Sequence, residues 1–207
     1  MDDDKAPAQR QRVIHISGSP GSGKTFLLES IQRSLPETVA LVDTDTLIVP
    51  MFESKTWKRI KSDQERGMYY AKEATRRIKT FIDEHRDASG IVLAGLTMYW
   101  AWSPDTGGFD KGEAFPADIE ASHAIKRTLL FIDIDSKTLI QQRYKRDVVD
   151  VVANKQDDVL SGQISIDFSA DMIRNYARVE KQTFVDDLGY RLQSQDDIRD
   201  RVIRLLS

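Results

Sequence analysis

Residues 18–25 read Gly18-Ser19-Pro20-Gly21-Ser22-Gly23-Lys24-Thr25, and their reading decides the fold. The octapeptide fits G-x-x-x-x-G-K-[ST] at every position. Glycines at 18, 21 and 23 let successive backbone N–H groups turn inward and cradle phosphate oxygens. Lys24 is a mobile point charge with the reach to meet β- and γ-phosphates. Thr25 offers a hydroxyl to Mg²⁺. The flanks supply the context that the motif needs. Val13-Ile14-His15-Ile16 is a short apolar run that reads as a buried strand. After the loop, Leu27, Leu28, Ile31 and Leu35 recur at helical spacing until Pro36 stops the pattern. A helix starting here turns its positive N-terminus toward the phosphates. The nucleotide-binding stretch is therefore Gly18 to Phe26.

Further along, Val39-Ala40-Leu41-Val42 reads as a second strand and ends in Asp43-Thr44-Asp45. Ligands of open α/β sheets bind beyond the carboxyl ends of strands, which is where both the loop and these two carboxylates fall. Asp43 and Asp45 are thus candidates to hold a metal-bound water, orient an acceptor hydroxyl or take its proton, and Asp43 is a candidate Mg²⁺ ligand beside Thr25. The bland alternative is an aspartate that caps a helix. Residues 44–56 read as loop. A helical stretch follows from about Trp57 to Asp87, divided at Gly67, with Ala71, Ala74, Ile78, Phe81 and Ile82 on its apolar face. Arg59 and Arg66 read as solvated charges.

Gly90 reads as a helix cap before a third buried strand, Ile91-Val92-Leu93-Ala94-Gly95. Tyr99, Trp100 and Trp102 then border a Gly/Pro-rich segment, and 103–124 looks irregular and long enough for a functional loop. Those aromatics either wall an acceptor pocket or cover the sheet. His123 receives no role. The fourth strand, Thr128–Ile134, carries Asp133 near its end as a residue to test for proximity to Mg²⁺. Asp135 caps the next helix, which bears Leu139 and Ile140 and then Arg143-Tyr144-Lys145-Arg146. Residues 147–168 read as a mobile polar excursion. Ser169 caps a helix to about Asp187 in which Arg174 and Arg178 share a face. Gly189–Leu192 is a weak fifth strand, and Ser194 opens the last helix.

Composition narrows the class. The 207 residues carry a formal net charge of −3, 40% hydrophobic and 30% charged residues, and no cysteine. Disulfides, cysteine-zinc sites and thiol catalysis are excluded. No long Lys/Arg run marks a nucleic-acid or membrane-surface binder. No apolar run reaches membrane-spanning length. Residues 1–11 read as a disordered tail or a cloning remnant, and 12–207 as one domain. The simplest address is the cytoplasm. Alternating strands and helices predict a parallel sheet covered on both faces.

At this point the chain resembles the P-loop kinases of the nucleoside monophosphate kinase and shikimate kinase type. The likeness rests on the loop at 18–25, on Asp43-Thr44-Asp45, on Leu93-Ala94-Gly95, and on Phe131–Asp135 followed by Leu139, Arg143, Arg146 and Arg174-Asn175-Tyr176. It implies a five-stranded parallel sheet in the order 2-3-1-4-5, ATP and Mg²⁺ as cofactors, and γ-phosphoryl transfer to a small-molecule acceptor. It also implies an acceptor side at 44–90 and a lid-like segment at 143–170 from which Arg143 and Arg146 reach the phosphates. Phosphoryl transfer asks mainly for positioning and charge neutralisation, which these residues supply. The monophosphate kinases carry an acceptor-binding arginine after the third strand. Gly95-Leu96-Thr97-Met98-Tyr99 has none, so a hydroxyl-bearing acceptor or nucleoside stands beside a nucleotide. A different reading is a regulatory NTPase switch: Asn154-Lys155-Gln156-Asp157 matches the guanine-recognition pattern N-K-x-D, which needs a strand before it. A relic loop on a structural protein is the third. Neither acceptor nor oligomeric state follows from the sequence.

Overall fold

The computed structural model describes residues 10–95, 100–103, 108–111, 125–154 and 168–207. In chain order the elements are β1 (Gln11–Ser17), α1 (Lys24–Gln32), β2 (Val39–Asp43), α2 (Thr44–Phe52), α3 (Lys55–Arg59), α4 (Asp63–Glu84), β3 (Gly90–Ala94), β4 (Trp100–Ser103) and β5 (Gly108–Lys111). They continue with β6 (Ile125–Ile132), α5 (Ser136–Tyr144), a π-helical turn (Lys145–Val149) and α6 (Asp150–Asn154). Last come α7 (Ala170–Gln182), a second π-helical turn (Thr183–Asp187), β7 (Arg191–Gln193) and α8 (Gln195–Leu206). Five strands form one parallel sheet in the order β2-β3-β1-β6-β7, the 2-3-1-4-5 order that the resemblance implied. β4 and β5 form a separate antiparallel pair.

The central strand is apolar on both faces because helices cover both. Ile14 and Ile16 join Leu27, Leu28 and Ile31 of α1 and Ile198, Val202 and Leu206 of α8 in one cluster. Val13 points the other way, into Ile78 and Ile82 of α4 with Ile91, Leu93 and Ile125. This is why β1 and β3 read as continuous apolar runs rather than as alternating ones.

Several boundaries differ from the sequence reading. Residues 44–56 are not loop: α2 and α3 occupy most of them. Leu47, Ile48 and Met51 of α2 pack on Tyr70 and Ala74 of α4, and this burial holds the helix despite Pro50. α4 runs unbroken through Gly67; the break lies at Ile60–Ser62, where the Ser62 side chain accepts the Glu65 N–H and starts the helix. α3 begins at Lys55. Gly90 is the first residue of β3, not a cap, and a Cβ there would sit 2.4 Å from Leu206 Cδ2. Gln11 belongs to β1, and its side chain donates to the His85 carbonyl at 2.7 Å. The first part of 147–168 is helical as far as Asn154. β5 lies within 103–124. The Tyr99 residue, His123, the remainder of that loop, and 155–167 lie outside the described residues, as do the side chains of Trp100 and Trp102.

Candidate functional site

The loop after β1 is a turn held by its own backbone. Ser22 N donates to Ser19 O at 2.9 Å, and Leu27 N to Gly23 O at 2.9 Å. Gly21 and Gly23 stand at φ 89° and 84°, which side-chain-bearing residues rarely adopt. Both are also closely approached. A Cβ on Gly21 would lie 2.9 Å from Arg143 Cδ, and one on Gly23 2.5 Å from Gln195 Nε2. Gln195 donates to Ser22 O at 2.6 Å, tying the start of α8 to the loop. Lys24 Nζ folds back onto the loop, donating to Gly18 O at 2.6 Å and Ser19 O at 3.2 Å. Burial pulls the Lys24 ammonium below its usual range, against the carboxylates of Glu180, Asp45 and Asp43.

One cleft of about 420 Å³ is lined by Pro20, Gly21, Gly23, Lys24, Thr25, Asp43, Asp45, Gln142 and Arg146. It gathers most of the sequence-predicted site residues. Thr25 Oγ1 donates to Asp43 Oδ2 at 2.9 Å, while Asp43 Oδ1 accepts the Asp45 N–H at 3.0 Å. Asp43 therefore caps α2, as the bland reading had it, while its other oxygen faces the loop. A hydroxyl and a carboxylate converging on a phosphate loop suit Mg²⁺, a hard cation that takes one or two such ligands and completes its shell with water and phosphate oxygens. Thr25 and Asp43 are the residues that would hold it. Burial, and then the Asp43 carboxylate, push the Asp45 carboxyl up; Lys24 and Arg146 pull it back.

Arg143 and Arg146 are both brought to the loop, and both are tethered. Their Nε atoms donate to Asp147 at 2.5 and 2.6 Å. Burial alone would raise the Asp147 carboxyl, but the two guanidiniums outweigh it and hold it below the usual carboxylate range. Phe26 is 69% exposed at the start of α1 and does not line the cleft. Asp133 is elsewhere: it pairs with Lys181 at 3.0 Å and, with Arg174 and Arg178, lines a separate cavity of about 600 Å³ that reaches the loop only at Ser19.

The sequence reading missed Glu180. It is fully buried on α7 behind the loop, facing Ser19, Lys24, Arg143 and Tyr176. Its two oxygens close no hydrogen bond of standard geometry. Burial pushes its carboxyl up to about 7, against the pull of those neighbours. The signal was spacing: Ile173, Tyr176, Glu180 and Phe184 fall on one helical stripe, so Glu180 occupies a core position.

No protein-family model matches the chain, and no curated protein matches it in sequence. Solved structures do resemble it. A protein of Chloroflexus aurantiacus provisionally described as a kinase aligns over 97% of this chain and 98% of its own, at 13% identity and a TM-score of 0.52. Shikimate kinase from Bacteroides thetaiotaomicron aligns over 94% and 97%, at 17% identity and a TM-score of 0.45. One chain of the Pnkp1/Rnl/Hen1 RNA repair complex aligns over 86% of this chain, at 12% identity and a TM-score of 0.48. The present chain spans only 46% of that one. Identities this low speak to architecture. The chain has the fold of the P-loop kinases, as its strand order also states.

Proposed function

We propose that the protein is an ATP-dependent phosphotransferase that moves the γ-phosphoryl group to a small acceptor, with a hydroxyl-bearing metabolite, nucleoside or nucleotide as candidates. The observation that carries this reading is the single cleft holding Lys24, Thr25, Asp43, Asp45 and Arg146. The loop backbone and Lys24 bind the donor phosphates. Bound Mg²⁺ would supply charge neutralisation between them. Asp45 stands where an acceptor hydroxyl enters, and its raised pKa suits a base better than an ordinary aspartate. The acceptor oxygen forms its bond to the γ-phosphorus as the bond to the β,γ-bridging oxygen breaks. The proton passes to Asp45, and the leaving diphosphate keeps the electron pair. Arg146 and Arg143, released from Asp147, meet the transferring charge as guanidinium donors.

The test is transfer of label from [γ-³²P]ATP with Mg²⁺ to a panel of nucleosides, nucleotides and hydroxylated metabolites. Asp45→Asn should lower kcat by roughly 10²- to 10⁴-fold with nucleotide affinity nearly unchanged. ATP binding with no transfer to any acceptor class would overturn the proposal. The switch reading is disfavoured because Asn154 ends α6, so no strand stands before the N-K-x-D tetrapeptide. Tight, GTP-selective binding without transfer would restore it.

A further inference from the structure

Below the short strand β7 no described strand covers the edge of the sheet. β7 pairs with β6 only where Arg191–Gln193 lies against Leu130–Ile132. The earlier residues of β6, from Ile125 to Leu129, have β1 on one side and no described strand on the other. The notch left there is a cavity of about 430 Å³. Arg12 enters it from β1, Lys126 and Arg127 from β6, Arg191 from β7 and Arg201 from α8. Among the described residues no carboxylate lines it, although the chain as a whole is acidic, with a net charge of −3.

Lys126 and Arg191 turn their charges to solvent, and Arg12 and Arg201 are held only in part by the protein. Arg12 Nη1 donates to the Leu205 carbonyl at 3.2 Å. Lys126, Arg191 and Arg201 form no ion pair with any described residue, and the buried Nε of Arg201 has no acceptor. An unmet buried donor is costly, and like charges gathered in a concave wall repel one another. A polyanion relieves both. Guanidinium forks match phosphate oxygens in bidentate geometry, and the volume suits a small molecule. The site is not part of the cleft. Arg12 stands near the start of β1 and the phosphate loop follows its end, roughly 20 Å away at strand rise.

We propose that this notch is a second anion site, which takes a small, multiply charged phosphorylated molecule independently of the phosphate loop. Pyrophosphate is a suitable probe, titrated calorimetrically in phosphate-free buffer at low salt. Lys24→Ala first disables the loop. That variant should still bind pyrophosphate at one site, with affinity falling as salt rises. Adding Lys126→Gln and Arg191→Gln should weaken it at least tenfold and flatten the salt dependence. Both residues are exposed, so the fold should survive, as melting without anion would verify. The same pair of changes with Lys24 intact should leave binding of a non-hydrolysable ATP analogue unaltered. The proposal falls if Lys24→Ala binds no pyrophosphate, or if the notch changes leave that binding intact. It falls equally if a single-stranded oligonucleotide outcompetes pyrophosphate at equal phosphate concentration, because the surface would then be a nucleic-acid groove.

Discussion

Gly95 leaves β3 at φ 148°, and a Cβ there would stand 2.0 Å from Thr44 Oγ1 and 3.4 Å from Thr44 N. Thr44 is itself fully buried between the two site carboxylates. The glycine therefore lets the end of β3 press against the segment that carries Asp43 and Asp45. Its place at a strand end was readable as a point of close approach; what approaches it was not, because the partner comes from 51 residues earlier in the chain. Gly95→Ala should cost about 2–3 kcal/mol, since both the φ value and the clash oppose it. Urea unfolding would measure this, and an unchanged midpoint would show that the backbone relaxes. Glu180 carries the same lesson from the other side. Its spacing marks it as a core position, but only the structure puts Ser19 and Lys24 in front of it.

At the scale of elements, α2 is the main departure from what its residues suggest. Pro50, two threonines and an aspartate make Thr44–Phe52 a poor helix by propensity. It forms because Asp43 caps it and because Ile48 and Met51 are buried against α4. Tertiary burial likewise carries α4 through Gly67. Capping residues, by contrast, were legible: Asp135, Ser169 and Ser194 each start the helix expected of them by accepting a first-turn N–H. The cap of α2 is also a site residue, and the two roles separate by substitution. Asparagine caps as well as aspartate, so Asp43→Asn should unfold within a few tenths of a kcal/mol of wild type. Asp43→Ala should lose about 1 kcal/mol. Both should weaken Mg²⁺-dependent nucleotide binding, roughly 10- to 100-fold by analogy with lost metal-orienting carboxylates. Calorimetric titration of Mg·ATP beside urea unfolding resolves the two effects. Equal metal dependence in Asp43→Asn and wild type would remove Asp43 from the metal site.

Across the whole molecule, the parallel strands were readable as apolar runs because two helical layers bury both of their faces. The same burial traps two ionisable groups near the loop, and their effects on stability oppose. His15 lies in the middle of β1, buried, with its ring edge against Tyr190; burial lowers its pKa from 6.5 to about 3. Its folded form stays neutral while the unfolded chain takes up a proton, so its contribution is present above pH 6.5 and is lost as pH falls toward 3. Glu180 moves the other way, from 4.5 to about 7. Its contribution is present below pH 4.5 and is lost as pH rises through 7. Between about pH 4.5 and 6.5 the unfolded chain binds one proton more at residue 15 and one fewer at residue 180, and the two slopes cancel. Each alone amounts to about 1.4 kcal/mol per pH unit. His15→Gln should therefore expose a fall in stability with rising pH across that window, and Glu180→Gln a rise. Urea unfolding of nucleotide-free protein at half-unit pH steps measures both. A Glu180→Gln curve parallel to wild type would mean that Glu180 is already ionised in the folded state. Its charge would then hold the Lys24 ammonium toward the back of the loop, a pull that incoming phosphate must overcome.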